Sequence, residues 1–160
     1  MRGIARIAAT VVDALAVVSF VGMFVCVLAQ VVLRYVFDRP LVWSDELARY
    51  LFVWCAFLGW IVAARRRSHL AIGVIAERCG PRGRAWFALV GAIVALVFAV
   101  ILFAYGVQIT LRNVDVSTVA LFFSFAIVYI IVPIASLAVA AYAVVDAMTA
   151  IEELRASVPQ

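Results

Sequence analysis

The sequence predicts an all-α membrane protein with four transmembrane helices and a short interfacial amphipathic helix between the second and third of them. Hydrophobic residues make up 69% of the 160 residues and charged residues only 14%, whereas soluble domains contain about 45–50% apolar and about 25% charged residues. Four apolar stretches can supply the roughly 20 residues that a membrane-spanning helix needs. These stretches lack the alternating polarity of barrel strands, so helices are favoured.

The four predicted spans form a single domain, residues 1–160, and lie at about residues 7–33, 43–64, 85–111 and 116–151. The second span is the weakest, because its fully apolar part covers only residues 51–64 and must be extended back to Trp43 to cross a bilayer. The first run is longer than the roughly 7–15 apolar residues of a secretory signal sequence, which predicts an uncleaved helix.

Pro133 lies inside the fourth predicted span and predicts a kink there. Proline removes one backbone donor, and its ring collides with the preceding helical turn. Pro133 is then either a proline that a membrane helix tolerates or the origin of a bend that shapes a packing surface.

The connection between the second and third spans predicts an interfacial helix over residues 69–78. Leu70, Val74 and Ile75 fall near one helical face while His69 is polar, a pattern typical of a helix lying in the membrane interface. His69 is the single histidine of the sequence. Bis-histidine haem ligation needs two, and zinc sites gather several His or Cys ligands. The sequence therefore predicts no metal site and no cofactor.

Arginine supplies all the positive side-chain charge, since the sequence contains no lysine, and its distribution predicts the orientation in the membrane. The segment 65–84 is the most basic part of the chain and is expected in the cytoplasm by the positive-inside rule. Four crossings then place both termini in the cytoplasm. Binding to nucleic acid is disfavoured, because the arginines lie beside apolar runs rather than among exposed aromatics on a polar face.

The densest polar segment lies between the first two spans, and its candidate functional residues are Arg34, Pro40, Trp43, Asp45, Glu46 and Arg49. Ser44 is predicted to cap the second helix, with Asp45 and Glu46 at the positive end of the helix dipole. Arg49 can pair with either carboxylate one turn away, and Arg34 can reach the same groups. The segment is predicted to form a structural ion-pair network, or one that also docks a partner protein. Catalysis is disfavoured, because neither a nucleophile nor a pocket is visible beside the carboxylates.

Asp13 and Asp146 are acidic residues within or near apolar runs, which makes them candidates for function in a membrane. Both lie towards the predicted cytoplasmic ends of their helices rather than at the bilayer centre. Pairing with nearby arginines, or solvation, is favoured over proton relay. Because no acidic residue is central in a predicted span, a proton-coupled transporter acting alone is disfavoured.

Between residues 34 and 70 the chain contains the run R-Y-V-F-D-R-P-L-V-W-S-D-E-L-A-R-Y-L-F-V-W-C-A-F-L-G-W, followed by A-A-R-R-R-S-H-L. This order resembles the small membrane subunit of TRAP transporters, the DctQ-type family. The matching positions are Arg34, Pro40, Trp43, Asp45, Glu46, Arg49, Gly59, Arg65 and His69, and the later pair Tyr129 and Pro133 resembles the family's fourth helix. Family members often have glutamate in place of Asp45 and aspartate in place of Gly73.

The resemblance implies a secondary transporter of three components in the bacterial inner membrane. A periplasmic binding protein captures an organic acid, a large membrane subunit holds the substrate and sodium sites, and the small subunit is a non-catalytic scaffold. The implied partners of this chain are the large subunit, the binding protein as a transient contact, and membrane lipids. The alternatives are a stand-alone small transporter, which would need a midmembrane carboxylate that the sequence lacks, and a membrane anchor of a respiratory enzyme.

Overall fold

Helices dominate the computed structural model, which describes residues 2–39, 41–66 and 80–156. They are α1 (Arg2–Tyr35), α2 (Ser44–Arg65), α3 (Gly80–Arg112), α4 (Phe125–Tyr129) and α5 (Ile131–Ala156). Four stretches are long and apolar enough to cross a membrane, and α4 with α5 forms the fourth. The predicted all-α fold with four such helices is confirmed. The interfacial helix expected at residues 69–78, with His69, Leu70, Val74 and Ile75, lies outside the described residues, as does Pro40.

The long helices are arranged in a row. Among the described elements, α1 packs closely against α2 alone, α2 packs in turn against α5, and α5 packs most extensively against α3. The centre of the row contains the buried core, made of Leu58, Ile61 and Ala64 from α2, Ala99 from α3, and Ile131, Ala135 and Val139 from α5. The outer helices α1 and α3 therefore carry most of the apolar surface that faces away from the protein.

Small side chains form the face by which α1 meets α2. The buried or half-buried positions of α1 recur every three or four residues, and the small residues among them are Ala9, Ala16, Ser19, Gly22, Cys26 and Ala29. Small residues allow two helices to approach closely, which is how helices associate in lipid, where apolar burial gives little driving force. The contact is close at Gly22, where an added Cβ would lie 3.3 Å from Leu51 Cδ1.

A seven-residue repeat of small residues marks the contact between α3 and α5. On α3 the buried members are Ala85, Ala92, Ala99 and Gly106, and on α5 they are Ser136, Ala143 and Ala150. Positions seven residues apart stay on one face when two helices wrap around each other with a left-handed twist. The two helices therefore pack along most of their length with little side-chain volume between them.

The fourth span begins later than the sequence predicts. The prediction placed its start near residue 116, but residues 116–124 form a loop and α4 begins at Phe125. Ser124 caps α4, its Oγ accepting a hydrogen bond from the N–H of Ala126 at 3.1 Å. Serine and threonine hydroxyls compete with helical hydrogen bonds, and this loop contains three of them, which apolar composition alone does not reveal.

A break separates α4 from α5 at Ile130, in the turn that precedes Pro133. Proline at position 133 has no N–H to donate to the carbonyl of Tyr129, and its ring crowds that carbonyl. The helical hydrogen-bond pattern resumes with the N–H of Ile134, which donates to the carbonyl of Ile130 at 3.4 Å. The fourth span therefore lacks one helical hydrogen bond at this point, while Ile130 keeps helical backbone angles and residues Phe125–Ala156 remain one span.

We expect Gly106→Ala to destabilise the packing of α3 against α5. An added Cβ at Gly106 would lie 2.9 Å from Val132 Cγ1 and 3.1 Å from Pro133 Cδ, whereas at Gly59 nothing lies within 4 Å. Gly59→Ala is thus a matched control with the same gain in helix propensity. Unfolding in detergent should show Gly106→Ala less stable than Gly59→Ala by about 1–3 kcal/mol. Equal stabilities would contradict the close approach.

Candidate functional site

Glu46 connects α2 to the loop between α3 and α4. Its Oε1 accepts a hydrogen bond from the N–H of Val119 at 3.1 Å, and its Oε2 accepts one from the N–H of Ala120 at 2.7 Å. The hydroxyl of Tyr50, one turn along α2, donates to the same carboxylate. We call the contacts of Glu46 with Tyr50, Val119 and Ala120 the Glu46 clasp. Hydrogen bonds to an ionised carboxylate are stronger than neutral ones, so the clasp fixes the loop to α2.

Tyr50 extends the clasp into an aromatic cluster. Its side chain is only 8% exposed, and its ring meets Phe123 and Phe125 edge-on at centroid distances of 5.9 Å and 5.7 Å. Phe125 in turn stacks on Tyr129 at 6.2 Å. A buried tyrosine needs a partner for its hydroxyl, and Glu46 supplies it. The polar and the apolar contacts of Tyr50 thus hold the same loop.

The loop is also closed by its own hydrogen bonds. The N–H of Thr118 donates to the carbonyl of Phe123 at 2.8 Å, and the N–H of Phe125 donates to the carbonyl of Val116 at 2.9 Å. The Thr118 hydroxyl accepts from the N–H of Phe123 at 3.1 Å. Ser124 Oγ lies 2.7 Å from the carbonyl oxygen of Val114, to which it can donate. The loop is therefore presented to Glu46 in one defined conformation.

Ser44 joins the end of α1 to the beginning of α2, and the prediction that it caps α2 is wrong. Trp43 occupies the capping position without a side-chain hydrogen bond. Ser44 is 1% exposed, and its hydroxyl meets both the Gln30 side chain and the carbonyl of Leu41, the latter at 2.8 Å. A hydroxyl has one hydrogen, and the carbonyl can only accept. Both contacts are satisfied if the Gln30 amide nitrogen faces Ser44 and donates to the hydroxyl oxygen, while the hydroxyl donates to the Leu41 carbonyl.

Among the described residues where α1 ends and α2 begins, the predicted arginine pairs do not form. Arg34 and Arg49 make no ion pair with Asp45 or Glu46, although Arg49 interacts electrostatically with Glu46 over a longer distance. The guanidinium of Arg34 instead lies 5.9 Å from the ring centroid of Tyr35. The Glu46 carboxylate instead binds backbone N–H groups and Tyr50, and Asp45 is exposed.

At the opposite end of the helix bundle from Glu46, where α1 begins and α2 ends, Asp13 of α1 pairs with Arg65 of α2. One guanidinium nitrogen donates to both carboxylate oxygens, at 2.6 Å and 2.8 Å. The expectation that Asp13 pairs with an arginine is confirmed. Together with Ser44 and Gln30, this contact ties α1 to α2 at both ends of their shared face.

The family model for the DctQ component of tripartite ATP-independent periplasmic (TRAP) transporters matches residues 23–153 of this chain. The chain belongs to this family. The match includes the Glu46 clasp, the Ser44 contact, the Asp45–Arg49 segment and Pro133. It confirms the resemblance found in the sequence, and the family consists of transporter components rather than enzymes, as predicted for this chain. Family and fold together make it a multi-pass membrane protein.

Several curated proteins are similar to parts of the chain. A putative TRAP transporter small permease protein of Haemophilus influenzae is 33% identical over 85 residues, 53% of each chain. The C4-dicarboxylate TRAP transporter small permease protein DctQ of Vibrio cholerae is 29% identical over 84 residues, 52% of this chain and 36% of the relative. The sialic acid TRAP transporter permease protein SiaT of Haemophilus influenzae is 45% identical over 53 residues, 33% of this chain and 9% of the relative. The chain thus spans about half the length of the first relative and less of the others.

We expect Glu46→Gln to loosen the loop between α3 and α4. A carboxylate offers a separate oxygen to each of the two N–H groups, whereas a glutamine amide has one acceptor oxygen, so one N–H loses its partner. Hydrogen exchange at Val119 and Ala120 should become several-fold faster. Asp45→Asn is the matched control, because it removes the same charge one residue away at an exposed position. Unchanged exchange in Glu46→Gln would contradict the clasp.

We expect Asp13 and Arg65 to be energetically coupled. A double-mutant cycle with Asp13→Asn and Arg65→Gln should give a coupling free energy of unfolding of up to about 1 kcal/mol, the scale of partly exposed ion pairs. Arg66→Gln serves as the control, since Arg66 is exposed and adjacent to Arg65. Additive effects for Asp13 and Arg65 would show that the pair contributes nothing.

Proposed function

We propose that the chain is the non-catalytic small membrane subunit of a TRAP transporter and scaffolds its large transport subunit during sodium-coupled uptake of an organic acid. The family match over residues 23–153 supports this proposal. The geometry supports it too, because the polar contacts of Glu46, Ser44 and Asp13 join helices of this chain to one another. Such contacts give a rigid body with apolar outer surfaces, which suits a supporting subunit.

The similarity to SiaT supports the large membrane subunit as the partner. The 53 matched residues make up 9% of that protein, which is therefore more than three times as long as this chain. A segment similar to part of this chain thus occurs within a much larger permease polypeptide. The corresponding arrangement here is a non-covalent complex between the chain and a separate large subunit, with apolar helix surfaces in contact.

The proposed location is the bacterial inner membrane, with both termini in the cytoplasm. Arg65 and Arg66 lie at the end of α2 that is next to Asp13. Arg82 and Arg84 lie in the first turns of α3. The positive-inside rule assigns this end to the cytoplasm. The end with the Glu46 clasp then faces the periplasm, where the exposed side chains of Arg34, Asp45 and Arg49 are available to a transiently docked binding protein. The lipid bilayer surrounds the remaining apolar surface.

The proposed substrate class rests on the relatives. One is named for sialic acid and another for C4-dicarboxylates, and both kinds of molecule carry carboxyl groups. An organic acid is therefore the substrate class proposed for the transporter that contains this chain.

Co-purification tests the proposal. The tagged chain is co-expressed with a candidate large TRAP membrane subunit and recovered in a mild detergent. A stoichiometric complex is the expected result. Recovery of the chain alone, while the large subunit is expressed and folded, would overturn the pairing.

We expect Trp43→Ala and Glu46→Ala each to reduce recovery of the large subunit or substrate uptake several-fold. Glu46 fixes the loop to α2, and Trp43 occupies the capping position at the start of the same helix. Trp86→Ala is the control for Trp43, because Trp86 is an exposed tryptophan near the beginning of α3, at the other end of the helix bundle. Wild-type recovery and uptake in both variants would contradict a role of this segment in assembly.

A further inference from the structure

Part of the backbone of the loop between α3 and α4 is hydrogen-bonded within the protein. The N–H groups of Val119 and Ala120 bind Glu46, those of Thr118 and Phe123 bind across the loop, and that of Phe125 binds the carbonyl of Val116. Irregular backbone in contact with lipid must satisfy its polar groups within the protein, because hydrocarbon offers no partners. These bonds therefore satisfy part of the loop backbone without help from water.

The tip of the same loop is apolar and exposed. The side chains of Val119 and Phe122 are 85% and 86% exposed. Phe122 has a φ of 57°, a left-handed backbone conformation that is unfavourable for a bulky residue. The hydrogen bonds between Thr118 and Phe123 on either side hold it there. The fold thus stabilises an unfavourable conformation while leaving a large aromatic side chain mostly exposed.

The clasp fixes the depth of the loop relative to α2. The loop backbone binds Glu46 in the first turn of α2, and its rings pack on Tyr50 one turn further along. The loop tip therefore lies beside the first turns of α2 and not beyond its end. With 22 residues and a rise of about 1.5 Å per residue, α2 is about as long as the roughly 30 Å hydrocarbon core. Its first turn, and the loop tip with it, lies at the boundary between hydrocarbon and headgroups.

We propose that the loop between α3 and α4 is an interfacial lipid anchor, in which Val119 and Phe122 insert into the boundary of headgroups and acyl chains of the adjacent leaflet. Its occupant is lipid rather than a water-soluble protein for two reasons. The exposed tip precedes the exposed residues Ile127, Ile130 and Ile134 on the outer surface of the fourth span. The sequence also has no charged residue between Asp115 and Asp146, whereas protein interfaces formed in water have a polar rim.

The anchor rests on the membrane-spanning fold and stands apart from the proposed transporter function. An isolated chain in vesicles is therefore sufficient to examine it. Cys26, Cys55 and Cys79 are replaced by alanine, and a single cysteine is introduced as Phe122→Cys or Val119→Cys for an environment-sensitive fluorophore. Asp115→Cys is the matched control, since Asp115 is exposed at the beginning of the same loop. Both tip positions are exposed, so neither label displaces a packed side chain.

Quenching by lipids brominated near the headgroup, and by iodide in the water, gives the position of each label. We expect lipid quenching at both tip positions to be about twofold or more stronger than at Asp115→Cys, with weaker iodide quenching, as for residues that insert into the interface. Tip labels that behave like Asp115→Cys towards both quenchers would overturn the proposal. Lipid quenching that disappears when the large subunit is reconstituted with the chain would also overturn it, because a protein would then cover the tip.

Discussion

The need of backbone N–H groups for acceptors governs the end of the molecule where α2 begins. Within the four spans the helices meet this need by themselves, but the loop that leads into the fourth span cannot. Glu46 accepts hydrogen bonds from two of the loop's N–H groups, those of Val119 and Ala120, and Tyr50 adds an aromatic contact to the same segment. Because the loop leads through α4 into α5, and α5 packs on α3, this one carboxylate also helps to set how the α3–α5 pair meets α2.

Close packing of small residues is the second constraint on the row of helices. Lipid removes most of the hydrophobic driving force between helices, so the contacts depend on how near two backbones can come. The seven-residue repeat on α3 and α5 gives that nearness along a whole helix, and Gly106 approaches Val132 and Pro133 closely. On α1 the small face is combined with two polar ties, at Gln30 and at Asp13, which set the register of α1 on α2.

Hydropathy was sufficient to predict the spans, because lipid imposes a length and an apolar composition that a single sequence displays. Glu46 was recognised as a candidate from its segment, but its partners were not, since they are backbone amides more than seventy positions away and carry no side-chain signature. Ser44 was misassigned as a cap because Gln30, on another helix, competes for its hydroxyl. Residues 116–124 are as apolar as a helix, and composition does not distinguish an apolar loop that is satisfied by Glu46 from a helical turn.

The position of α1 at the edge of the row has a consequence for biogenesis. Since α1 packs closely against α2 alone among the described helices, these two can form a stable hairpin as soon as both have left the ribosome. By contrast, α3 depends on α5, which is synthesised last, and its small-residue face stays uncovered until then. Membrane insertion of this chain would thus proceed by an early hairpin of α1 and α2 and a late hairpin of α3 and α5. The contacts of Glu46 with the loop between α3 and α4 would form only after the second hairpin is inserted.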